Sequence, residues 1–364
     1  MEDNNTKPMT GNKGEWSEIY TLFKLLADGR VHAGDADLNK LPLYYPILSV
    51  IREEAKSYTY TPDSNRDIII IREDGEVIAS ISINRFIQES QYLLDSIKSN
   101  KEAKGAFSIP KTETFMREIH CSKLKAASKD KADIHIIIHD LRTNMTPLLG
   151  FSIKSQLGSP STLLNAGDTT NIKFRVKGIN NDEDMSRING IKDHLPRMEA
   201  LYKSGYSLEY DSVPHDTFRN NLTFLDGRMP EFIAHCLLQD SISGNPSIKS
   251  AVEAVAKENP FHFQGNSKVY YEHKMKQLLL ANALGMTPAK EWTGHFDANG
   301  GYLVVKKDGE IVCYHFYNQN DVEDYLYNNT RFERASRSRY NFGSIYKEGS
   351  EYFIKLNLQI RFTK

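Results

Sequence analysis

The sequence predicts a mixed α/β fold, and three observations carry that prediction. Paired apolar runs flank Asp74-Gly75 in RDIIIIREDGEVIASISI and Asp308-Gly309 in GGYLVVKKDGEIVCYHFY, the signature of β-hairpins. Apolar residues at helical spacing recur in many segments between and after these hairpins. Pro and Gly are spread evenly, with no internal repeat, low-complexity tract or linker.

Residues 1–13 are polar and expected to be disordered. In GEWSEIYTLFKLLADG the apolar positions Trp16, Ile19, Tyr20, Phe23 and Leu26 fall on one helical stripe, and Gly29 is the stop. After the first hairpin, INRFIQESQYLLDSIKSN and KTETFMREIHCSKLKAA read as amphipathic helices. KADIHIIIHDLRTNMTPLLGFSIKSQLG is a further strand pair around a polar turn near Asn144. SPSTLLNAG is expected to hold a short helix capped by Ser159 or Ser161, and NIKFRVKG is a strand. DHLPRMEALYKSG, PEFIAHCLLQD, SIKSAVEAVAKEN and SKVYYEHKMKQLLLANALGM are helical. DVEDYLYNN is a helix after the last hairpin, and EYFIKLNLQIRF alternates as a strand.

The length of 364 residues suits two to three domains of about 150 residues, with a break expected near 200–245. No apolar run of about 18 residues predicts a membrane span, and the N-terminus has no apolar signal segment. Cys121, Cys236 and Cys313 are odd in number and far apart. They fit neither a zinc site nor a disulfide framework, and they suit buried thiols in a reducing cytoplasm. A net charge of −1 means that any nucleic-acid surface must be a local basic one, offset elsewhere.

The Lys131–Gly158 strand pair is chemically odd. Alternation puts Ile134, Ile136 and Ile138 on one face with Phe151 and Ile153. Asp133, His135, Ser152, Lys154 and Gln156 take the other. A turn centred at Asn144 makes paired numbers sum to about 287, so Asp133 should oppose Lys154, with Asp140 left in the turn. One reading is a cross-strand ion pair on a solvated face. The other is a metal-dependent phosphodiesterase site: a carboxylate to hold Mg²⁺ against a phosphate oxygen, and a cation beside the attacking water. Mg²⁺ usually takes more than one protein oxygen. The first helix offers Glu15 and Glu18, and Glu18 shares a face with Leu22 and Leu25, toward the protein body.

Asp133…Ser152-Ile-Lys154 resembles a degenerate PD-(D/E)XK nuclease motif, with Ala132 in place of the proline and Ser152 in place of the second acid. Four longer blocks are more specific: GNKGEWSEIYTLFKLLADG, LGFSIKSQLGSPSTLLNAG with TNIKF, GGYLVVKKDGEIVCYHFYN, and NFGSIYKEGSEYFIKLNLQIRF. In content and order they resemble the HpaII-type type II restriction endonucleases, from residue 11 almost to the C-terminus. The resemblance implies an α/β, PD-(D/E)XK restriction-endonuclease-like core, a mixed central sheet flanked by helices, with an additional C-terminal α+β region. Residues 14–200 would be the nuclease core, and 201–364 a helical and hairpin region for DNA recognition and dimerisation. It implies a cytoplasmic, Mg²⁺-dependent endonuclease that cuts double-stranded DNA at CCGG, with a homodimer suited to the palindrome.

Carried over to this chain, Asp133 is the metal-binding aspartate, Lys154 the catalytic lysine, and Ser152 holds the second-acid position. Glu18 is the first candidate for the compensating acid and metal ligand, and Asp168 the second. Gln156 would orient a water or phosphate. A CCGG reader needs arginines for guanine edges. TRFERASRSRYNFG offers Arg331, Arg334, Arg337 and Arg339, with Ser336 and Ser338 for phosphates. The lysines of CSKLKAASKDK could serve phosphates or simply coat a solvated helix. A repair or junction nuclease, or a DNA-binding protein with an inactivated nuclease core, are the competing readings.

Overall fold

The computed structural model describes residues 8–100, 105–125, 132–296, 299–334 and 342–363. The chain forms two compact units. The first comprises residues 1–161 and 297–325; the second comprises 162–296 and 326–363. This division differs from the expected 14–200 and 201–364, because the hairpin around Asp308-Gly309 hydrogen-bonds into the first unit's sheet.

In chain order, the first segment holds α1 (Lys13–Asp28), β1 (Arg30–Gly34), β2 (Lys40–Glu53), β3 (Ser57–Asp63), β4 (Ile68–Glu73) and β5 (Glu76–Ser82). It continues through α2 (Ile83–Ser99), α3 (Pro110–Glu118), β6 (Ile134–Ile138) and β7 (Leu148–Ser155). The next segment holds β8 (Thr162–Leu164), β9 (Asn171–Lys177), α4 (Asp182–Asn189), α5 (His194–Lys203), β10 (Ser207–Ser212), α6 (Asp216–Leu225), α7 (Met229–Ser243), α8 (Ile248–Glu258) and α9 (Ser267–Leu284). Then come β11 (Gly301–Val305), β12 (Ile311–His315), α10 (Gln319–Asn328), β13 (Thr330–Phe332), β14 (Ile345–Glu348), β15 (Glu351–Asn357) and β16 (Ile360–Phe362).

The first unit is built on a mixed sheet in the order β1-β12-β11-β7-β6-β2-β3-β4-β5, and β1 also pairs with the first half of β2. β7 lies parallel to β11 and antiparallel to β6. Helix α1 starts on a capping box: Asn12 accepts the Glu15 amide, and the Glu15 carboxylate accepts the Asn12 amide. It stops at Gly29, whose φ of 63° is the left-handed conformation that glycine adopts without strain. Between these ends Trp16, Ile19, Leu22, Phe23, Leu25 and Leu26 are fully buried. Phe23 meets Phe86 of α2 and Phe115 of α3 edge to face at 6.1 and 5.1 Å. The oily hairpin residues Ile134, Ile136, Ile138 and Phe151 join the same core.

The second unit holds the four-stranded sheet β10-β9-β15-β14, the three-stranded sheet β13-β16-β8 and helices α4 to α9. Two expectations fail here. SPSTLLNAG contains strand β8 rather than a helix, because it pairs with β16. EYFIKLNLQIRF is two strands in two sheets, split at Leu358-Gln359. In the first unit, the helix expected over KTETFMREIHCSKLKAA ends at Glu118. The three cysteines are buried free thiols. No helix among the described residues is long and apolar enough to cross a membrane.

His315 closes β12 and is buried; its Nδ1 accepts the Tyr317 amide at 3.0 Å. Burial pushes its pKa down to about 4 from 6.5. The folded state therefore holds the neutral ring. The stability this gives is complete above pH 6.5 and is lost as pH falls from 6.5 toward 4, at up to about 1.4 kcal/mol per pH unit. Urea unfolding at pH 5 and pH 7 should show a smaller acid loss in His315→Phe than in the wild type.

Candidate active site

The β6–β7 hairpin pairs with residue numbers that sum to 285: Ile134 opposes Phe151 and His135 opposes Gly150. The turn is centred between Arg142 and Thr143, closed by a bridge between Asp140 and Met145. Asp133 therefore faces Ser152, not Lys154 as a turn at Asn144 predicts. β6 begins at Ile134, so the β7 edge beyond it lacks a strand partner. Asp133 takes that place: its Oδ2 accepts the Ile153 amide at 2.6 Å and the Ser152 hydroxyl at 3.0 Å. Lys154 Nζ in turn donates to Ser152 Oγ at 3.0 Å. The hydroxyl thus links lysine to aspartate, accepting from one and donating to the other. Lys154 also lies 5.2 Å from the ring centre of Tyr302, the β11 residue paired with Ser152. Burial lowers the Lys154 pKa, while Asp133 and Glu18 pull it back up.

Glu18 enters from α1, which is pinned to the end of β7 by Ser17 Oγ against Ser155 Oγ at 2.8 Å. Glu15 is spent on the helix cap and on Lys125 at 2.6 Å. Glu18 has no such role. Its Oε2 is buried with no hydrogen-bond partner among the described residues. Burial first, and Asp133 second, push its pKa up to about 8, against the opposing pull of Arg52 and Lys125. A buried carboxylate with an orphaned oxygen beside a second carboxylate is costly unless a cation completes it. Two hard carboxylates suit Mg²⁺, which takes one or two protein acids with waters and substrate phosphates making up the rest. Among the described residues no group of three or more His, Cys, Asp or Glu forms a cage, so a transition-metal site is not indicated.

The other expected residues separate. Gln156 follows β7, with its amide bonded to Val305 O at 2.9 Å. His135 packs over Gly150, where a side chain would also meet Ala132 at 2.7 Å. Asp168 opens a short 3₁₀ turn in the second unit. Arg331 on β13 pairs with Glu333 at 2.7 Å, and Arg334 with Asp240 at 3.4 Å. Ser336, Arg337, Ser338 and Arg339 lie outside the described residues, as do residues 126–131 of the lysine-rich stretch.

The sequence reading missed Arg52 and Tyr302. Arg52 is buried on β2, bonded to Glu54 at 3.3 Å and to Lys123 O at 2.9 Å. A charged residue inside an otherwise apolar strand was the available signal. Ser152→Ala should separate the linking hydroxyl from the fold: cleavage should drop about 10–10²-fold, with melting temperature little changed, because only one partly buried hydrogen-bond chain is lost.

The HpaII restriction endonuclease family model matches residues 12–362. The chain is 44% identical over 360 residues to the type II restriction enzyme HpaII of Haemophilus parainfluenzae, covering 98% of this chain and 99% of that one. No solved structure matches. The chain belongs to the HpaII restriction endonuclease family and is a type II restriction enzyme.

Proposed function

We propose that the protein is a PD-(D/E)XK nuclease that hydrolyses double-stranded DNA at CCGG with Mg²⁺, leaving 5′-phosphates. The observation that carries this is the chain Lys154–Ser152–Asp133 with the orphaned Glu18 carboxylate beside it. Asp133 and Glu18 would hold Mg²⁺, which supplies Lewis acidity toward the phosphate and makes a bound water more acidic. The Ile153 amide and Ser152 hydroxyl keep the Asp133 carboxylate in one orientation. Lys154 positions the attacking water for in-line displacement of the 3′-oxygen and offsets the charge that builds on the phosphate. Its depressed pKa leaves it able to exchange a proton with that water. Ser152 alone would favour an inactivated core; Glu18 restores the second acid and favours the enzyme.

Arg331 and Arg334 would exchange their carboxylate partners for guanine edges or phosphates, with Ser336, Arg337, Ser338 and Arg339 completing that loop. A palindromic target suits two-fold pairing of two copies on DNA. The working compartment would be the cytoplasm. The test is a digest of unmethylated and cytosine-methylated plasmid, with the ends sequenced. Every end should fall in CCGG, carry a 5′-phosphate, and disappear with a chelator. Nicking that follows DNA structure, or ends without CCGG, would contradict the proposal.

A further inference from the structure

The turn of the catalytic hairpin is built inside out. Leu141 is 48% exposed, Met145 59% and Leu148 52%. Leu48, bulged out of the β2–β6 register between Ile47 and Ser49, is 39% exposed beside them in the ladder. The polar residues of the same turn are spent on holding it. Asp140 is buried; its carboxylate accepts the Arg142 amide at 2.9 Å, and its backbone bonds Met145 O and Asn144 N at 2.9 and 2.8 Å. Asn144 sits at a φ of 55°, with its Oδ1 2.8 Å from His139 Nε2. Arg142 donates to Asn318 at 3.1 Å. Turns ordinarily present their polar side chains to water. Here a braced polar frame holds large apolar side chains out in it, which marks a contact surface.

That surface continues from the site. In the 285 register Leu148 opposes Ile137, Gly150 opposes His135, and Ser152 meets Asp133, all on one face of the hairpin. At about 3.3 Å per residue, Leu148 stands roughly 13 Å along the strand from Ser152. That is about four base-pair steps of duplex.

We propose that Leu141, Met145 and Leu148 form an apolar wedge that seats in a groove of the bound DNA and partly unstacks the central CpG step of the target. This inference rests on the CCGG reading above. CCGG carries no thymine methyl for an apolar side chain to read. Its centre is a pyrimidine–purine step, the kind that kinks and unstacks most easily. Leucine and methionine are among the side chains that insert at such steps. Sequence is then read partly as deformability, at the step the wedge presses, in addition to any arginine contact.

The test compares wild type, the double variant Leu141→Ser/Met145→Ser, Met145→Glu and Met145→Lys, all as full chains. Each is titrated onto a short CCGG duplex carrying a fluorescent cytosine analogue in the CpG step, with Ca²⁺ replacing Mg²⁺. Wild type should brighten the analogue. The double variant should keep its melting temperature, bind about 10–100-fold more weakly and leave the analogue dark. Met145→Glu should bind at least about tenfold more weakly than Met145→Lys, since DNA repels the acid. Variants that bind and brighten like wild type overturn the wedge. So does a loss of self-association in light scattering with DNA affinity unchanged, which makes the patch a contact between copies. A wild type that cuts at CCGG but leaves the analogue dark overturns the wedge alone. A wild type that does not cut there overturns the CCGG reading and the wedge with it.

Discussion

Lys154→Met should reduce single-turnover cleavage of CCGG DNA by about 10³-fold or more, with DNA affinity within about threefold of wild type. Methionine keeps the length and apolar stem of lysine, so the packing against Tyr302 survives. The loss is the ammonium that donates to Ser152 Oγ at 3.0 Å and sits in the field of Asp133 and Glu18. No described neighbour of the Ser152 hydroxyl replaces that charge at the position where the phosphate would develop its own. Gel shifts in Ca²⁺ and quenched-flow cleavage in Mg²⁺ separate binding from chemistry. A variant that binds and cuts at the wild-type rate would remove Lys154 from the reaction.

Glu18→Gln should also abolish cleavage, by about 10²–10⁴-fold, and yet stabilise the metal-free protein above neutral pH. The two effects have one cause. Burial and Asp133 raise the Glu18 pKa from 4.5 to about 8. Between those values the unfolded chain has released this proton and the folded chain has kept it. Stability therefore declines as pH rises from about 4.5 to about 8, and glutamine removes the decline. At pH 8.5 without divalent cations the variant should gain roughly 1–3 kcal/mol, or a few degrees in melting temperature; at pH 5 the gain should vanish. Adding Mg²⁺ should stabilise wild type more than the variant. Calorimetry at the two pH values, with and without Mg²⁺, checks all three. Equal melting temperatures throughout would mean that Glu18 is not the strained acid described here.

Much of the site was legible because its residues break local rules. Asp133, Ser152 and Lys154 are polar residues in apolar strands, and alternation alone put them on one face. The register was not legible. A turn of six residues closed by Asp140 and Met145 replaced a shorter one at Asn144, and that shift of two moved Asp133 from Lys154 to Ser152. Helix α1 and the hairpins at Asp74-Gly75 and Asp308-Gly309 announce themselves through caps and turn residues. Strands β1 to β3 do not: KLPLYYPILSVIRE is a long apolar run with two prolines and a bulge, and its pairing to β1, β6 and β3 is set by tertiary partners. Arg52 was hidden for the same reason. The discontinuous units were out of reach as well, because nothing local in GGYLVVKKDGEIVCYHFY says that it pairs with residues 151–155.

The central claim is that Asp133 from the hairpin and Glu18 from the helix serve one metal. A double-mutant cycle of single-turnover cleavage with Asp133→Asn and Glu18→Gln tests it directly. If the two acids hold one ion, either change already removes it, and the double variant should cut within about tenfold of the slower single variant. If the two losses multiply in full, the acids act independently, and Glu18 is not the acid that stands in for Ser152.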